Sequence, residues 1–199
     1  MAGRPREFDR DLALERARDA FWQRGYEGVS MADLVAVMGI ASARIYAAFG
    51  SKEALFREAV GLYETGEGGF AAHALRQEES ARAAIERMLR EAVAVYARDA
   101  RGCMVVAAGA NCAAENDAVA AWLAGHRRAR TQSIIDKLRA AERAGELRPG
   151  TDVEALGDSY ATFLHGLSVQ ARDGVGEARL LAMIPVAMAA LDLARRERS

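Results

Sequence analysis

Residues 30–55 read SMADLVAVMGIASARIYAAFGSKEAL and predict two short helices joined by a tight turn, followed by the start of a third helix. Ser30 can cap the first helix, because its hydroxyl and the acidic Asp33 three positions later come close to a capping box. Gly39 can adopt the left-handed conformation that ends this helix. A second helix is predicted over residues 42–49. Two helices joined in this way form the geometry that lays the second helix in the major groove of DNA.

The composition is that of a folded, helical protein. With 199 residues the chain is long enough for one or two domains, and at 51% hydrophobic and 28% charged residues it can bury a core. Only three prolines and many Ala, Leu, Arg and Glu residues favour an all-α fold. Because the net charge is only −1, any DNA binding must depend on local positive charge. The candidates for that charge are Arg4, Arg6, Arg10, Arg44 and Lys52.

Several classes of protein are not supported by the sequence. The amino terminus has basic residues without an apolar segment after them, and no run approaches the ~20 apolar residues of a membrane span, so we expect a cytoplasmic protein with no membrane partner. Two cysteines do not make a disulfide framework. The histidines His73, His126 and His165 lack metal-ligand spacing, and neither a phosphate loop nor a nucleophile elbow is present. We therefore expect no metal, no cofactor and no enzymatic activity.

Glycines and capping residues divide the chain into about nine predicted helices, three in an amino-terminal domain (residues 1–56) and six in a carboxy-terminal domain (residues 57–199). Ser51 caps the helix that joins the two domains. A hinge at Gly66, Gly68 and Gly69 should end or kink this helix, since each helical glycine costs roughly 1 kcal/mol relative to alanine. The remaining helices are predicted over residues 9–24, 79–98, 103–114, 116–143, 151–171 and 177–195.

Three local signals predict details of the carboxy-terminal helices. Asn116 can cap the long helix that follows it, and residues 151–154, TDVE, form a second capping box. Pro185 lies inside the last predicted helix and should kink it, because proline removes a backbone donor.

Residues 8–56 carry a series of marked positions at fixed spacing. They are Ala17, Phe21, Gly25 and Tyr26, then Asp33, Leu34, Gly39 and Ile40, then Tyr46 and Phe49, and finally the run SKEALF over residues 51–56. This pattern resembles the DNA-binding domain of TetR-family transcriptional repressors. The rest of the chain is similar to that family in length and helix order, and residues 101–106 and 141–149 resemble one subset of it.

The resemblance implies a bacterial repressor that binds a palindromic operator as a dimer and leaves it when a small-molecule inducer binds. In that family the last two long helices of two subunits form a four-helix dimer interface. Two recognition helices related by a two-fold axis would lie about 34–36 Å apart, one turn of DNA. Activation instead of repression stays open, because the same domain can recruit polymerase.

We expect DNA contacts from the second helix of the motif, from neighbouring helix amino termini and from the amino-terminal arm. Members of the family often carry Lys or Arg at the position of Ser42 and Ser or Thr at that of Arg44, whereas here the basic residue comes two places later. Arg44 is suited to guanine recognition, worth ~1–3 kcal/mol, or to a phosphate contact, and both interpretations remain open. The predicted DNA-binding residues are Arg6, Ser30, Ala41, Ser42, Ala43, Arg44, Tyr46 and Lys52.

The carboxy-terminal domain combines soft and aromatic side chains with few charges in its core segments. Such a mixture would suit a mostly apolar ligand held by a few polar groups, although the same residues at helical spacing are also typical of plain core. The predicted ligand-binding residues are Tyr63, Phe70, Met88, Tyr96, Met104, Trp122, His126, Tyr160 and Phe163, with His165 a further candidate.

Cys103 and Cys112 cannot pair within one helix, since nine residues place them ~13.5 Å apart on opposite faces. Cys103 follows Gly102 at a predicted helix amino terminus, which would lower the pKa of its thiol. A repressor that senses oxidants or electrophiles through Cys103 is therefore an alternative hypothesis, beside the reading of Cys103 as an inert buried residue.

Overall fold

The computed structural model describes residues 8–109 and 116–195. Within these ranges the chain forms ten α-helices, and its only strand-like contact is an isolated bridge between Leu147 and Arg195. The helices are α1 (Arg10–Arg24), α2 (Met31–Met38), α3 (Ser42–Phe49), α4 (Lys52–Thr65), α5 (Phe70–Gln77), α6 (Ala81–Ala97), α7 (Met104–Gly109), α8 (Asp117–Arg143), α9 (Val153–Arg172) and α10 (Glu177–Ala194). The predicted all-α class is confirmed. Arg4, Arg6 and Cys112 lie outside the described residues.

Helices α1, α2 and α3 form an amino-terminal head. The predicted capping box is present, because the Ser30 hydroxyl accepts from the Asp33 amide and the Asp33 carboxylate accepts from the Ser30 amide at 2.8 Å. Gly39 ends α2 with a φ of 69°, and α2 and α3 meet at an angle of 92°. Ile45 and Phe49 point from α3 into the core of the head. The angle is typical of a helix-turn-helix motif.

Helix α4 joins the head to the rest of the molecule. Its amino terminus is capped by Ser51, whose hydroxyl accepts from the Ala54 amide at 3.0 Å. It packs against α1 along one side, with Leu55, Phe56 and Ala59 buried. The domain boundary that we predicted after residue 56 therefore falls within a single helix.

The glycine-rich segment after α4 is a packed turn followed by a helix that the sequence analysis missed. Helix α4 ends at Thr65, as expected, and a 3-10 turn over Glu67–Gly69 leads directly into α5. A Cβ atom on Gly68 would lie 2.3 Å from Cε1 of Tyr63, and one on Gly69 would lie 2.9 Å from the Glu64 carbonyl oxygen. These glycines therefore allow the turn to lie directly against α4. With α5, seven helices follow the head within the described ranges, where six were predicted.

Two predicted caps of the carboxy-terminal helices are wrong. Asn116 precedes α8 but makes no capping bond, and its side-chain amide instead donates to the Glu27 carboxylate at 2.7 Å. The cap of α9 is Asp152, whose carboxylate accepts from the Ala155 amide at 2.9 Å. Thr151 therefore does not form the predicted capping box.

Helices α5–α10 form a carboxy-terminal bundle in which α8 packs against α9, and α6 against α5, α9 and α10. The apolar helix expected from residue 103 is described over Met104–Gly109, and α10 continues through Pro185. Within the described ranges, none of the ten helices alone has the length and apolar character to cross a bilayer; α2 and α3 meet that test only as a pair, bent by 92°.

Candidate functional site

Helix α3 presents one face, with Arg44 and Tyr46 on it, to solvent. Ala41, Ala43 and Arg44 are exposed, and Tyr46 retains 48% of its surface exposed. Ser42 is half-buried at the start of the helix. The residues predicted to face DNA from α3 are thus brought together on the surface of the head.

Arg44 has a free guanidinium within the described part of the chain. Its Cζ atom lies 5.8 Å from the centre of the Phe8 ring, and no described carboxylate forms an ion pair with it. Arg10, by contrast, donates to Glu58 at 2.8 Å and lies 4.3 Å from the Phe49 ring. Arg10 therefore ties α1 to α4, and Arg44 is the better placed of the two to contact a nucleic acid.

The amino termini of α2, at Ser30, and of α4, at Lys52, differ in which groups remain free to bind a phosphate. The amide and the hydroxyl of Ser30 both donate to Asp33, and Arg24 also donates to that carboxylate at 2.8 Å. The bonds from Ser30, and then from Arg24, hold the pKa of Asp33 well below its ordinary value. The donors of Ser30 are therefore already engaged, which makes it a weaker candidate for a phosphate contact than the sequence suggested.

Lys52 lies at the start of α4, beside the head. Its Nζ atom is 4.3 Å from the centre of the Tyr26 ring, a cation–π distance. Burial lowers the pKa of Lys52, while the nearby carboxylates of Glu27 and Asp33 oppose this shift. The ammonium is thus held in one place at the amino terminus of α4, where helix geometry also favours a phosphate.

Most of the predicted ligand-binding residues are core residues. Tyr63, Phe70, Met88, Tyr96, Met104 and Tyr160 are all buried. Trp122 and Phe163 are half-buried and pack on the same core. Packing in the hydrophobic core is therefore sufficient to explain why these side chains occur at these positions.

A cavity of about 250 Å³ lies between α4, the 3-10 turn, α5 and α8. It is lined by Glu64, Gly68, Gly69, Ala71, Ala72, Leu75, His126, Ala129, Arg130 and Ser133. Of the predicted ligand-binding residues, His126 alone is among them. The cavity is close to the lower size limit of small-molecule sites.

The polar wall of this cavity is an ion-pair cluster. The Nδ1–H of His126 donates to the Glu64 carboxylate at 2.8 Å, and the Arg130 Nη2 atom lies 3.6 Å from the other Glu64 oxygen. Glu64 and Arg130 were missed by the sequence analysis. The four-residue spacing of His126 and Arg130 on one helix could have suggested that they share a face. Nothing in the sequence pairs either of them with Glu64 on α4.

Cys103 lies behind this wall and is completely buried. The Arg130 Nη1–H donates to its sulfur at 3.6 Å, and the Cys103 amide donates to the Ser168 hydroxyl at 2.8 Å. Burial alone would raise the pKa of the thiol, but the charge of Arg130, together with bonds from the Val106 amide and from Arg130, lowers it overall. A thiolate at this position is stabilised by a neighbouring cation.

Two tyrosines complete the surroundings of the thiol. The hydroxyls of Tyr63 and Tyr96 are buried without a well-aligned hydrogen-bond partner in the described part of the chain. Burial, and then the charge of the Cys103 thiolate, raise the pKa of both tyrosines well above the ordinary value. Both tyrosines therefore stay protonated and can donate toward the sulfur.

The segment before Cys103 connects the bundle to the head. The Trp22 Nε1–H on α1 donates to the Gly102 carbonyl at 2.8 Å, although the two residues are 80 positions apart. The Arg101 guanidinium lies 4.1 Å from the Trp22 ring, and Trp22 also meets the Tyr63 ring edge-on at 4.7 Å. A change around the cavity can thus reach the first helix of the head through direct contacts.

Comparisons with known proteins cover both parts of the molecule. Residues 13–59 match the model of the family described as bacterial regulatory proteins, tetR family, and residues 81–173 match the one described as tetracyclin repressor-like, C-terminal domain. The transcriptional repressor ComR of Escherichia coli K12 is 30% identical over 185 residues, which are 90% of this chain and 87% of ComR. The repressor BdcR of the same organism is 31% identical over 179 residues, covering 87% of this chain and 84% of BdcR.

A solved structure extends the similarity to a DNA complex. It is that of a cysteine mutant of the TetR family regulator CifR, complexed with 26-bp double-strand operator DNA. It superimposes with a TM-score of 0.89 and 45% sequence identity, covering 94% of this chain and 99% of that chain.

Proposed function

Because the chain belongs to the TetR family of bacterial transcriptional regulators, we propose that it represses transcription in the cytoplasm by binding a near-palindromic operator as a homodimer, and that a small molecule in the α4–α8 cavity releases it. As a DNA-binding regulator of this family it is not an enzyme. The single observation that carries the proposal is the exposed face of α3, set at 92° to α2 in a helix-turn-helix. The operator-bound CifR structure supports the same use of this motif.

Arg44 is the proposed reader of a base. It is exposed on α3 and unpaired by any described carboxylate, so its guanidinium can reach the O6 and N7 atoms of a guanine. Tyr46 beside it can donate its hydroxyl to a phosphate. Lys52 is the proposed phosphate contact, because its ammonium is fixed over the Tyr26 ring at a helix amino terminus.

An electrophoretic mobility shift assay with the DNA upstream of the chain's own gene, followed by footprinting, tests the proposal. We expect Arg44→Ala to weaken operator binding about 10- to 100-fold and leave binding to random DNA nearly unchanged, the loss of one bidentate base contact. Lys52→Ala should weaken both DNAs alike and reduce the salt slope by about one. Arg128→Ala, which removes an exposed arginine on α8, is the control. Equal losses of specific and random binding in the first two variants would contradict the assigned roles.

The cavity is the proposed effector site because it joins the helix that leads to the head with the core of the bundle. Glu64 stands near the carboxyl end of α4, and α4 packs against α1. A ligand shifts the spacing of two heads only if it binds one arrangement better than the other. A ligand that changes the contacts of Glu64 acts directly on the helix that positions the head.

A thiol-based repressor is the second candidate, favoured by one observation, the bond from Arg130 to the Cys103 sulfur. The thiolate would add to one carbon of an electron-poor C=C bond, so that an S–C bond forms as the π bond breaks, and the electron pair of the π bond would take up a proton from water. N-ethylmaleimide labelling of the native protein, followed by mass spectrometry, tests this candidate. An unmodified Cys103, or full DNA release by electrophile in Cys103→Ser, would exclude it.

A further inference from the structure

The cavity between α4, α5 and α8 is lined by one carboxylate, that of Glu64, and by two side chains that can donate to it, Arg130 and His126. The Arg130 side chain is only 10% exposed, and its distance to the Glu64 carboxylate is 3.6 Å, longer than a normal hydrogen bond. Its described hydrogen bond is to the sulfur of Cys103. Glu64 is in turn bonded to His126 at 2.8 Å. One carboxylate is therefore shared by two donors, and the guanidinium keeps donors without an oxygen partner among the described residues.

A second arginine adds to the positive potential at this site. Arg127 lies one turn before Arg130 on α8 and donates to the Val105 carbonyl, which carries no net charge, at 3.1 Å. Burial, and then the charges of Arg130 and Arg127, lower the pKa of nearby His165. This histidine is therefore neutral at physiological pH, as expected for a largely buried group next to two cations.

We propose that the effector of this cavity is a small monocarboxylate, which binds Arg130 and His126 in place of Glu64 and lays a short apolar part against α5. The inference rests on the proposed function of the cavity as the effector site. It names the class of ligand, which neither the family nor the sequence assigns.

The geometry of the polar wall fits a carboxylate in particular. A planar guanidinium can bind both oxygens of a carboxylate through two parallel hydrogen bonds. The Nδ1–H of His126 already donates to one carboxylate oxygen, that of Glu64, so a ligand carboxylate finds the same donor. Once displaced, Glu64 can turn toward solvent, because its side chain is 27% exposed.

The opposite wall fits a short apolar body. Ala71, Ala72 and Leu75 of α5 line it, and the backbone of Gly68 and Gly69 closes one end against α4. A volume of about 250 Å³ leaves room for a ring or a short chain, but not for a long acyl chain.

Isothermal titration calorimetry on the full-length protein tests the ligand class, with benzoate and butyrate as probes and benzamide and butyramide as neutral analogues of the same shape. We expect both carboxylates to bind at least about tenfold more tightly than their amides, the difference of one charge-assisted hydrogen-bond pair. Equal binding of acid and amide, or no binding of either carboxylate, would overturn the proposal.

Three variants locate the site. Arg130→Gln should weaken carboxylate binding by about tenfold or more, and Arg128→Gln, which removes an exposed charge from the same helix, should not. Glu64→Gln should strengthen carboxylate binding, because it removes the internal competitor. Ala72→Phe fills the cavity from an exposed position and should abolish binding without unfolding the protein. Undiminished binding in both Arg130→Gln and Ala72→Phe would place the anion elsewhere and sink the assignment.

Operator binding, measured separately, distinguishes this inference from the proposed function. Benzoate that binds and weakens the operator complex of the wild type, but not that of Ala72→Phe, supports both. Benzoate that binds without any effect on the operator complex upholds the ligand class and rejects the cavity as the effector site. Intact operator binding without carboxylate binding rejects the ligand class alone.

Discussion

Arg130 is the residue on which the chemistry of the bundle core depends. A buried cation is costly unless nearby groups compensate it. Burial opposes the charge of Arg130, but the Cys103 thiolate raises the pKa of the guanidinium, so it stays charged. The same charge stabilises the thiolate form of Cys103. Arginine and cysteine therefore support each other's ionised state.

This mutual support predicts a measurable shift. In Arg130→Gln the positive charge that favours the thiolate is lost, while the burial that disfavours it remains, so the pKa of Cys103 should rise. The ultraviolet absorbance of the thiolate, followed during a pH titration, measures the change. Arg128→Gln controls for the loss of an arginine, and Cys103→Ser identifies the signal. A thiolate signal at the same pH in Arg130→Gln and wild type would mean that the arginine does not control the thiol.

The exposed residues of α3 were predictable one by one, but the partly buried cluster of Glu64, His126 and Arg130 was not. Arg44 and Tyr46 lie on the outer face because Ile45 and Phe49 fix the inner one, a pattern contained in eight consecutive residues. Glu64 and His126 are 62 positions apart, and only the packing of α4 near α8 brings them together. The residues predicted from the sequence were instead bulky ones, most of which are buried in the core.

At the scale of elements, a cap predicted from residues three apart was confirmed where neither a distant partner nor a neighbouring residue competed for it. The capping box of Ser30 and Asp33 is an example, since both of its bonds lie within the first turn of α2. Asn116 is the opposite case, because its side chain bonds to Glu27, 89 positions away. A cap predicted from local spacing fails when tertiary packing offers the side chain another partner.

Helix α5 was missed for a related reason. Glycines predict a helix break through their conformational freedom, and α4 does end before them. Glycines also allow two segments of backbone to approach each other closely. This role cannot be predicted until the segment that packs against the glycine is known. Gly68 lies against the ring of Tyr63, which is completely buried.

A glycine packed against a neighbour and a glycine with open space around it should respond in opposite ways to the same substitution. Gly68→Ala should lower the free energy of unfolding by about 1–3 kcal/mol, because its Cβ atom would overlap the buried Tyr63 ring and force the core to shift. Gly61→Ala, inside α4 with no atom within 4 Å of the new Cβ, should raise it by roughly 0.5–1 kcal/mol. Urea unfolding followed by circular dichroism measures both. Similar effects of the two changes would mean that the 3-10 turn is not tightly packed on Tyr63.

At the scale of the whole molecule, two of the connections between head and bundle lead to the cavity. Helix α4 runs from one to the other, and Trp22 on α1 donates to the Gly102 carbonyl of the bundle. Gly102 immediately precedes Cys103, which contacts Arg130 of the cavity wall. Each step is a direct contact, so a ligand at Arg130 can bias the position of the head without a change of fold.

The surface of the bundle predicts where a second copy binds. Val186 and Leu193 are 76% and 74% exposed on α10, and their seven-residue spacing places them on one face of that helix. Val169 on neighbouring α9 is 49% exposed. Large exposed apolar side chains on adjacent helices indicate an interface, and a two-fold axis through it would bury the same face of both copies.

Replacing this face with charge should therefore separate the subunits. We expect Val186→Glu combined with Leu193→Glu to halve the molar mass measured by light scattering after size exclusion, because four carboxylates would have to be buried in the dimer. Operator affinity should fall about 100-fold or more, since two half-sites would no longer be bound by one tethered pair of heads. Leu12→Glu places a charge at an exposed leucine of α1, 42% accessible, and should leave the mass unchanged. If the double variant keeps the mass of a dimer, the interface does not lie on α10. The alignment of two copies of α3 along one face of DNA would then depend on another surface of the bundle.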